Sequence, residues 1–248
     1  MSPLPNTKHP MKPYRKFAYK GANFRILCER FDAVTSEIVR LRSVLEEYIS
    51  RQPEFGTSLE PIELLDDAPE IAQRMAHAAK LIGVGPMAAV AGTVAQMSAE
   101  AANPAEAIVE NGGDIFLSVT RPVTVGLYAG EGPLSDSLAF SITPDSTPLA
   151  VCSSSGKMGH SLSLGECDLA CVVSPDASLA DAAATCAANL VKTPDDIEPT
   201  LERINGIEGV SGILLVQSDR IGLAGDLPQL VRNRDTELDS KVTRDPKA

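Results

Sequence analysis

Three short segments of this chain bring together residue types that could do chemistry. The first is Glu110-Asn-Gly-Gly-Asp114, set between two apolar runs. Asn-Gly is the strongest short hairpin signal, because both central residues of a type I′ turn need positive φ. A plain turn would account for it. The same glycines, Gly112 and Gly113, could instead leave backbone amides open to a phosphate while Asp114 is held at the edge of a strand. The second segment, Ser153-Ser-Ser-Gly-Lys-Met-Gly-His160, could surround a phosphate with Ser154, Ser155, Gly156 and Lys157, or could be a polar loop after a strand. The chain has three histidines, and His160 is the one that a Ser-His-Asp arrangement would have to use. Neither G-x-x-x-x-G-K-[ST] nor G-x-S-x-G occurs, which argues against a P-loop and an α/β-hydrolase. The third is Ser178-Leu-Ala-Asp181-Ala-Ala-Ala-Thr185. Asp181 and Thr185 are four apart, hence on one helical face, where their oxygens could meet at a hard cation such as Mg²⁺. The competing reading is a capping-box-like helix start at Ser178, with an acid in the first turn and Thr185 bonded to a carbonyl one turn back.

These segments need elements to hold them. "YRKFAYKGANFRILCE" (14–29) reads as one or two strands turning at Gly21-Ala22-Asn23. From Asp32 to just before Pro53, Val34, Ile38, Leu41, Leu45, Tyr48 and Ile49 recur at helical spacing. Asp67-Ala-Pro-Glu70 reads as a capping box for a helix carrying Ile71, Met75, Ala78, Ala79 and Ile82, ended by Gly83 and Gly85. The Ala- and Gly-rich stretch 86–107 predicts helices in close contact through Gly92 and Ala95. Residues 107–174 give "AIVE", "IFLSV", "VTVGLYA", "LAFSI", "LAVCSS" and "LACVVS", short β-like runs separated by Gly, Pro and Asp. Helix returns over 176–191 and briefly over 199–204, and "SGILLVQSDRIGLAG" closes as a hairpin turning near Ser218-Asp219. Helices in blocks rather than in strict alternation predict an α+β fold, with a mainly antiparallel sheet packed on Ala-rich helices. Residues 1–13 and 233–248 read as polar tails around one domain, 14–232.

Composition narrows the function classes. The 248 residues hold 22 Lys+Arg against 33 Asp+Glu, a formal charge of −11, which disfavours a nucleic-acid scaffold. Aromatics are 4% with no Trp, leaving few rings for stacking bases. No run of about 18 apolar residues and no signal-peptide pattern is seen, so neither a membrane partner nor export is expected. Five cysteines in apolar surroundings (Cys28, Cys152, Cys167, Cys171 and Cys186) fit a reducing compartment, and a cytoplasmic location is expected. Cys167 and Cys171, about 13 Å apart along an extended chain, cannot chelate one metal together.

Taken in order, the three segments resemble the ApbE-like superfamily, whose best-known members are FAD:protein FMN transferases, and in particular its uncharacterised prokaryotic branch. The N-x-G-G-D-[IV] turn is matched by Asn111-Gly112-Gly113-Asp114-Ile115, with one position fewer before the glycines. The T-S-G segment is approximated by Ser154-Ser155-Gly156, the following histidine by His160, and the late A-D-A-x-x-T helix start by residues 180–185. The resemblance spans roughly 80–192 and implies an ApbE-like, T-fold-related architecture. It also implies Mg²⁺ on Asp181 and Thr185, and FAD or a related flavin or nucleotide at Asn111, Gly112, Gly113, Ser154, Ser155 and Gly156. Asp114 and His160 are then the groups for ligand contact or proton transfer. Two departures stand out. His160 is followed by Ser-Leu-Ser-Leu-Gly165 rather than I-I-D-P-x-T-G, and the D-x-G-G-I-A-K-G helix is represented by residues 88–95, without its Asp or Lys.

Three functions follow as expectations. The first is an enzyme, a transferase or pyrophosphate-cleaving activity on a small phosphorylated heterocycle with Mg²⁺. The second is a module that binds a flavin- or pterin-like ring without turnover, which the two departures favour. The third, resting on the Ala-rich helices and the acidic surface, is an interaction protein that forms a homo-oligomer and binds no small molecule.

Overall fold

The computed structural model describes residues 13–130, 138–156 and 165–233. The two tails, except for Pro13 and Asn233, lie outside the described residues, as do Lys157 and His160. The chain opens with a hairpin, β1 (Arg15–Tyr19) and β2 (Ala22–Cys28), followed by α1 (Phe31–Arg51), a short α2 (Pro53–Thr57) and α3 (Glu70–Ile82). A single 3-10 turn, Pro86–Ala89, leads into α4 (Val90–Ala102). Then come β3 (Ala107–Asn111), β4 (Asp114–Ser118), β5 (Val123–Leu127), β6 (Leu138–Ile142), β7 (Leu149–Ser154) and β8 (Leu169–Ser174). The described chain ends with α5 (Ala177–Leu190), α6 (Ile197–Asn205), β9 (Gly212–Gln217), β10 (Arg220–Gly225) and β11 (Gln229–Arg232).

Eight strands form one sheet in the order β1-β2-β3-β4-β7-β8-β9-β10, and β11-β6-β5 form a second; every pairing is antiparallel. The α+β expectation is met. The central strands of the large sheet have two apolar faces, and the packing divides accordingly. On β3 and β9, for instance, Val109, Ile213 and Leu215 pack with the helices, whereas Ile108, Leu214 and Val216 pack with Val125, Phe140 and Ile142 of the small sheet. The resulting layers are helices, large sheet and small sheet, with β3, β4, β7 and β8 at the centre. Burial on both faces explains why these strands read as continuous apolar runs rather than alternating ones.

The α1 stripe is buried as its spacing predicts, through Phe31, Val34, Ile38, Leu41, Leu45 and Tyr48. Gly83 closes α3 in the left-handed conformation, φ 86°, which a residue without Cβ adopts at little cost. α3 and the 3-10 turn with α4 together have the length and apolarity of a membrane span, but they meet at 106° and bury most of their apolar residues in the core. No single described helix is long and apolar enough to cross a membrane.

Three local expectations are corrected. The first hairpin turns at Lys20-Gly21, φ 46° and 80°, and Ala22 is already in β2 opposite Tyr19. Two positive-φ residues make the two-residue turn that suits strand twist, so the longer Gly-Ala-Asn turn is not used. Asp67 does not cap α3. The N-cap is Pro69, without a side-chain bond, and Asp67 instead accepts from Arg51 Nη2 at 2.6 Å. An available guanidinium outcompetes the first-turn amides for this carboxylate. Finally, α5 is capped by Asp176, which accepts from Ser178 N (2.8 Å) and Leu179 N (3.2 Å), so Ser178 lies inside the first turn rather than at its start.

Candidate binding site on the helix side of the large sheet

The Asn-Gly-Gly-Asp segment is a hairpin turn, and the turn positions a carboxylate. Asn111 pairs with Asp114 across Gly112 (φ 65°) and Gly113 (φ 106°), the two positive-φ residues of the turn. A Cβ on Gly112 would meet nothing within 4 Å, so this face of the turn is open. Strand alternation places Asn111 and Asp114 on the helix side, in phase with the buried Val109 and Phe116. Asn111 Nδ2 donates to the Ala91 carbonyl at 3.2 Å, tying the turn to the start of α4. Asp114 is buried at the first residue of β4, where Oδ1 accepts from Ser153 N of β7 at 3.2 Å.

Asp181 comes to the same place from α5. It too is buried, and its Oδ2 accepts from Gly92 N at 2.8 Å. This approach is permitted because residue 92 is glycine. A Cβ there would lie 2.3 Å from the Ala177 carbonyl oxygen and 2.9 Å from Asp181 Cβ, both far inside contact distance. Two further rungs join α4 to α5: the Thr93 and Ser178 hydroxyls lie 2.8 Å apart, and Gln96 Oε1 accepts from Ala177 N at 2.7 Å. The Ala- and Gly-rich texture of both helices thus brings a backbone amide of one onto a carboxylate of the other.

Two carboxylates are therefore buried beside one another. Burial raises the Asp114 carboxyl well above its ordinary value, the charge of Asp181 raises it further, and the Ser153 amide and Cys152 thiol oppose the shift. Asp181 is pushed up to about 7 by burial, against the stabilising amides of Gly92 and Ala91. Among the described residues neither acid forms an ion pair. Buried carboxylates that share a site without a cation must carry a proton or be offset by a positive ligand. Burial also raises the neighbouring thiols, Cys152 well above its usual range and Cys171 to about 12, so neither is a nucleophile near neutral pH.

The donor set suits a hard cation in part. Asp181 keeps lone-pair sites beyond those taken by Gly92 and Ala91. Thr185, one helical turn on, is half-buried, and no hydrogen bond joins its hydroxyl to another described residue. Among the described residues no group of three or more His, Cys, Asp or Glu is arranged for a metal ion. A cation held by Asp181 and Thr185 would need further ligands from water or a bound phosphate.

The serine segment sits at the end of β7. Ser154 is half-buried, the Ser155 hydroxyl donates to the Cys167 carbonyl at 3.2 Å, and Gly156 N donates to the same carbonyl at 2.8 Å. Gly156 is needed because its Cβ would lie 2.3 Å from the Gly165 carbonyl oxygen. The structure thus ties Asn111 and Asp181 by hydrogen bonds to residues 91–92, and Ser153 N of β7 holds Asp114 close enough to feel the charge of Asp181. Sequence reasoning missed three of the supports, Ala91, Gln96 and Asp176. For Asp176 a signal was available: an acid directly before an Ala-rich helix is a strong N-cap.

Residues 22–205 match the family model described as "AbpE bacteria". This chain belongs to that family. Relatives include a UPF0280 protein of Methanocella arvoryzae, 44% identical over 79% of this chain and 80% of the relative. Another, from Archaeoglobus fulgidus, is 43% identical over 87% and 93% respectively. Among solved structures, the apo form of the Pseudomonas stutzeri flavinyl transferase ApbE superposes with a TM-score of 0.54, covering 85% of this chain and 94% of that one at 10% identity. A variant of the Vibrio cholerae flavin transferase ApbE gives 0.53, covering 85% and 96% at 11% identity. At that identity the likeness establishes the ApbE fold.

Proposed function

We propose that this chain binds a phosphorylated flavin-like or nucleotide ligand together with Mg²⁺ at the Asp114–Asp181 site. The observation that carries the reading is the pair of buried carboxylates lacking a cationic partner among the described residues. Family membership and the fold shared with flavin transferases support this choice of ligand class. In this reading Asp181 and Thr185 hold the cation. A bound cation offsets the charge of a pyrophosphate and polarises its phosphorus–oxygen bonds. In this reading the open Gly112-Gly113 turn offers backbone amides to a phosphate, and Ser154, Ser155 and Gly156 are assigned to the same ligand. Asp114, whose carboxyl is raised well above its ordinary value by burial and by the charge of Asp181, is assigned proton exchange with the ligand; His160 is assigned the companion role.

A second reading, binding without group transfer, is favoured by one feature of α4. The segment that stands where the transferases carry Asp and Lys uses its backbone to cradle Asp181 and Asn111, with alanines and Gly92 in place of charged side chains. Calorimetric titration of metal-stripped protein with FAD, FMN and ATP, each with and without Mg²⁺, tests the common part. Magnesium-dependent binding of FAD that weakens at least about 10-fold in Asp181→Ala is expected, since loss of even an outer-shell partner in a metal site costs about 10–100-fold. Binding that is indifferent to Mg²⁺ or to Asp181→Ala refutes it. Chromatography of the bound nucleotide after long incubation separates the readings: FMN and AMP mean cleavage, and intact FAD means a binding module.

A further inference from the structure

The two edges of the eight-stranded sheet differ. β1, at one end, carries Arg15 and Lys16, exposed charges of the kind that discourage a sheet edge from pairing with another chain. β10, at the other end, reads Arg-Ile-Gly-Leu-Ala-Gly, with one charge at its start and none after it until Asp226. Ile221 is 38% exposed and Leu223 is 51% exposed. They sit opposite Val216 and Leu214 of β9, on the face that packs against the small sheet, so two large aliphatic side chains stand in line beside the last strand. A two-residue turn at Ser218-Asp219 joins β9 to β10, with Gln217 opposite Arg220. In such a hairpin the residues flanking the turn bond to each other, and alternate residues direct their N–H and C=O groups outward. The outward ones on β10 are Ile221 and Leu223.

We propose that β10 pairs antiparallel with β10 of a second copy of this chain, about a two-fold axis at Gly222, joining the two large sheets. The strand is self-complementary in that register. Ile221 of each copy lies opposite Leu223 of the other on the same face, and their outward backbone groups bond reciprocally, as an isologous contact requires. The charges agree as well. Arg220 of each copy falls opposite Ala224 and diagonal to the exposed Asp226 of the other, whereas a parallel pairing would set Arg220 beside Arg220. Arg220 Nη1 reaches Asp195 of its own chain at 3.0 Å, and a guanidinium has further donors for a second acid. Gly222 suits the axis: on its other face a Cβ would lie 2.4 Å from Ile197 Cγ2 and 2.7 Å from Leu201 Cδ1, so α6 is seated directly over the strand. The occupant is a second copy rather than an unrelated peptide because sequence, register and charge match themselves.

Sedimentation equilibrium of the full chain, with Leu223→Lys and Ile221→Lys, tests this. The wild type is expected at twice the 26.2 kDa chain mass. Each variant sets a lysine against the partner's aliphatic side chain and is expected to raise the dimer dissociation constant at least about 100-fold with unchanged circular dichroism. Amide exchange gives the second readout, since the Ile221 and Leu223 amides should be protected in the wild type and exposed in the variants. A wild-type monomer at about 100 µM overturns the proposal. So does a dimer that survives both substitutions, or one in which those two amides exchange freely.

Discussion

Removing the charge of Asp181 should stabilise the ligand-free protein at alkaline pH. In the folded chain burial pushes this carboxyl from its ordinary 3.8 to about 7. The folded state therefore holds the proton more tightly than the unfolded state between those values. The stability it contributes is complete below about pH 4 and is lost as pH rises through about 7. A shift of about 3 pKa units at about 1.4 kcal/mol each puts the loss near 4 kcal/mol as an upper figure. Asp181→Asn keeps an acceptor for the Gly92 amide while removing the charge that also raises Asp114. Thermal unfolding from pH 4 to 9, with metal chelated, should show the wild type losing more stability with pH than the variant, in which burial still raises Asp114. At pH 8 the variant's Tm should be higher, by at most roughly 8–16 °C, given about 2–4 °C per kcal/mol for a chain of this size. Millimolar Mg²⁺ should then raise the wild type and leave the variant unmoved. A variant less stable than the wild type at pH 8, or a wild type indifferent to pH across this window, would refute the view of Asp181 as a buried acid awaiting a cation.

Gly92→Ala places a methyl 2.3 Å from the Ala177 carbonyl oxygen and forces α4 and α5 apart, so a loss of about 3 kcal/mol is expected in denaturant unfolding, together with loss of Mg²⁺ response. Asp176→Ala removes the α5 N-cap and should cost about 1 kcal/mol; a midpoint equal to the wild type's would show the cap to be idle. Four of the five cysteines are buried, and Cys28 is half-exposed. Brief alkylation of native protein followed by mass spectrometry should therefore modify Cys28 alone, and modification of Cys152 or Cys171 would contradict their raised pKa values.

What the sequence by itself determined is local. The 3.6-residue stripe of α1, the apolar runs of β3 to β8 and the Asn-Gly turn each announce themselves within a dozen residues, because helix periodicity, burial on both sheet faces and positive φ leave their marks in residue type. Motif order was legible as well, and with it the ApbE-like family and the α+β class. The tertiary structure decided which of two plausible partners each polar group takes. Asp67 looked like a helix cap until Arg51, on another helix, claimed it; Asp176 took the cap that Ser178 had suggested. The site itself is of this second kind. Asp114 and Asp181 are 67 residues apart in sequence, and nothing local to either says that it will be buried beside the other. Their meeting depends on β4 lying next to β7 at the middle of the sheet and on Gly92 letting α5 approach α4 to the distance of a hydrogen bond. Spacing along the chain reports what one element can do alone, whereas the desolvation that raises both acids, and the charge of Asp181 that raises Asp114 further, arise from packing between elements.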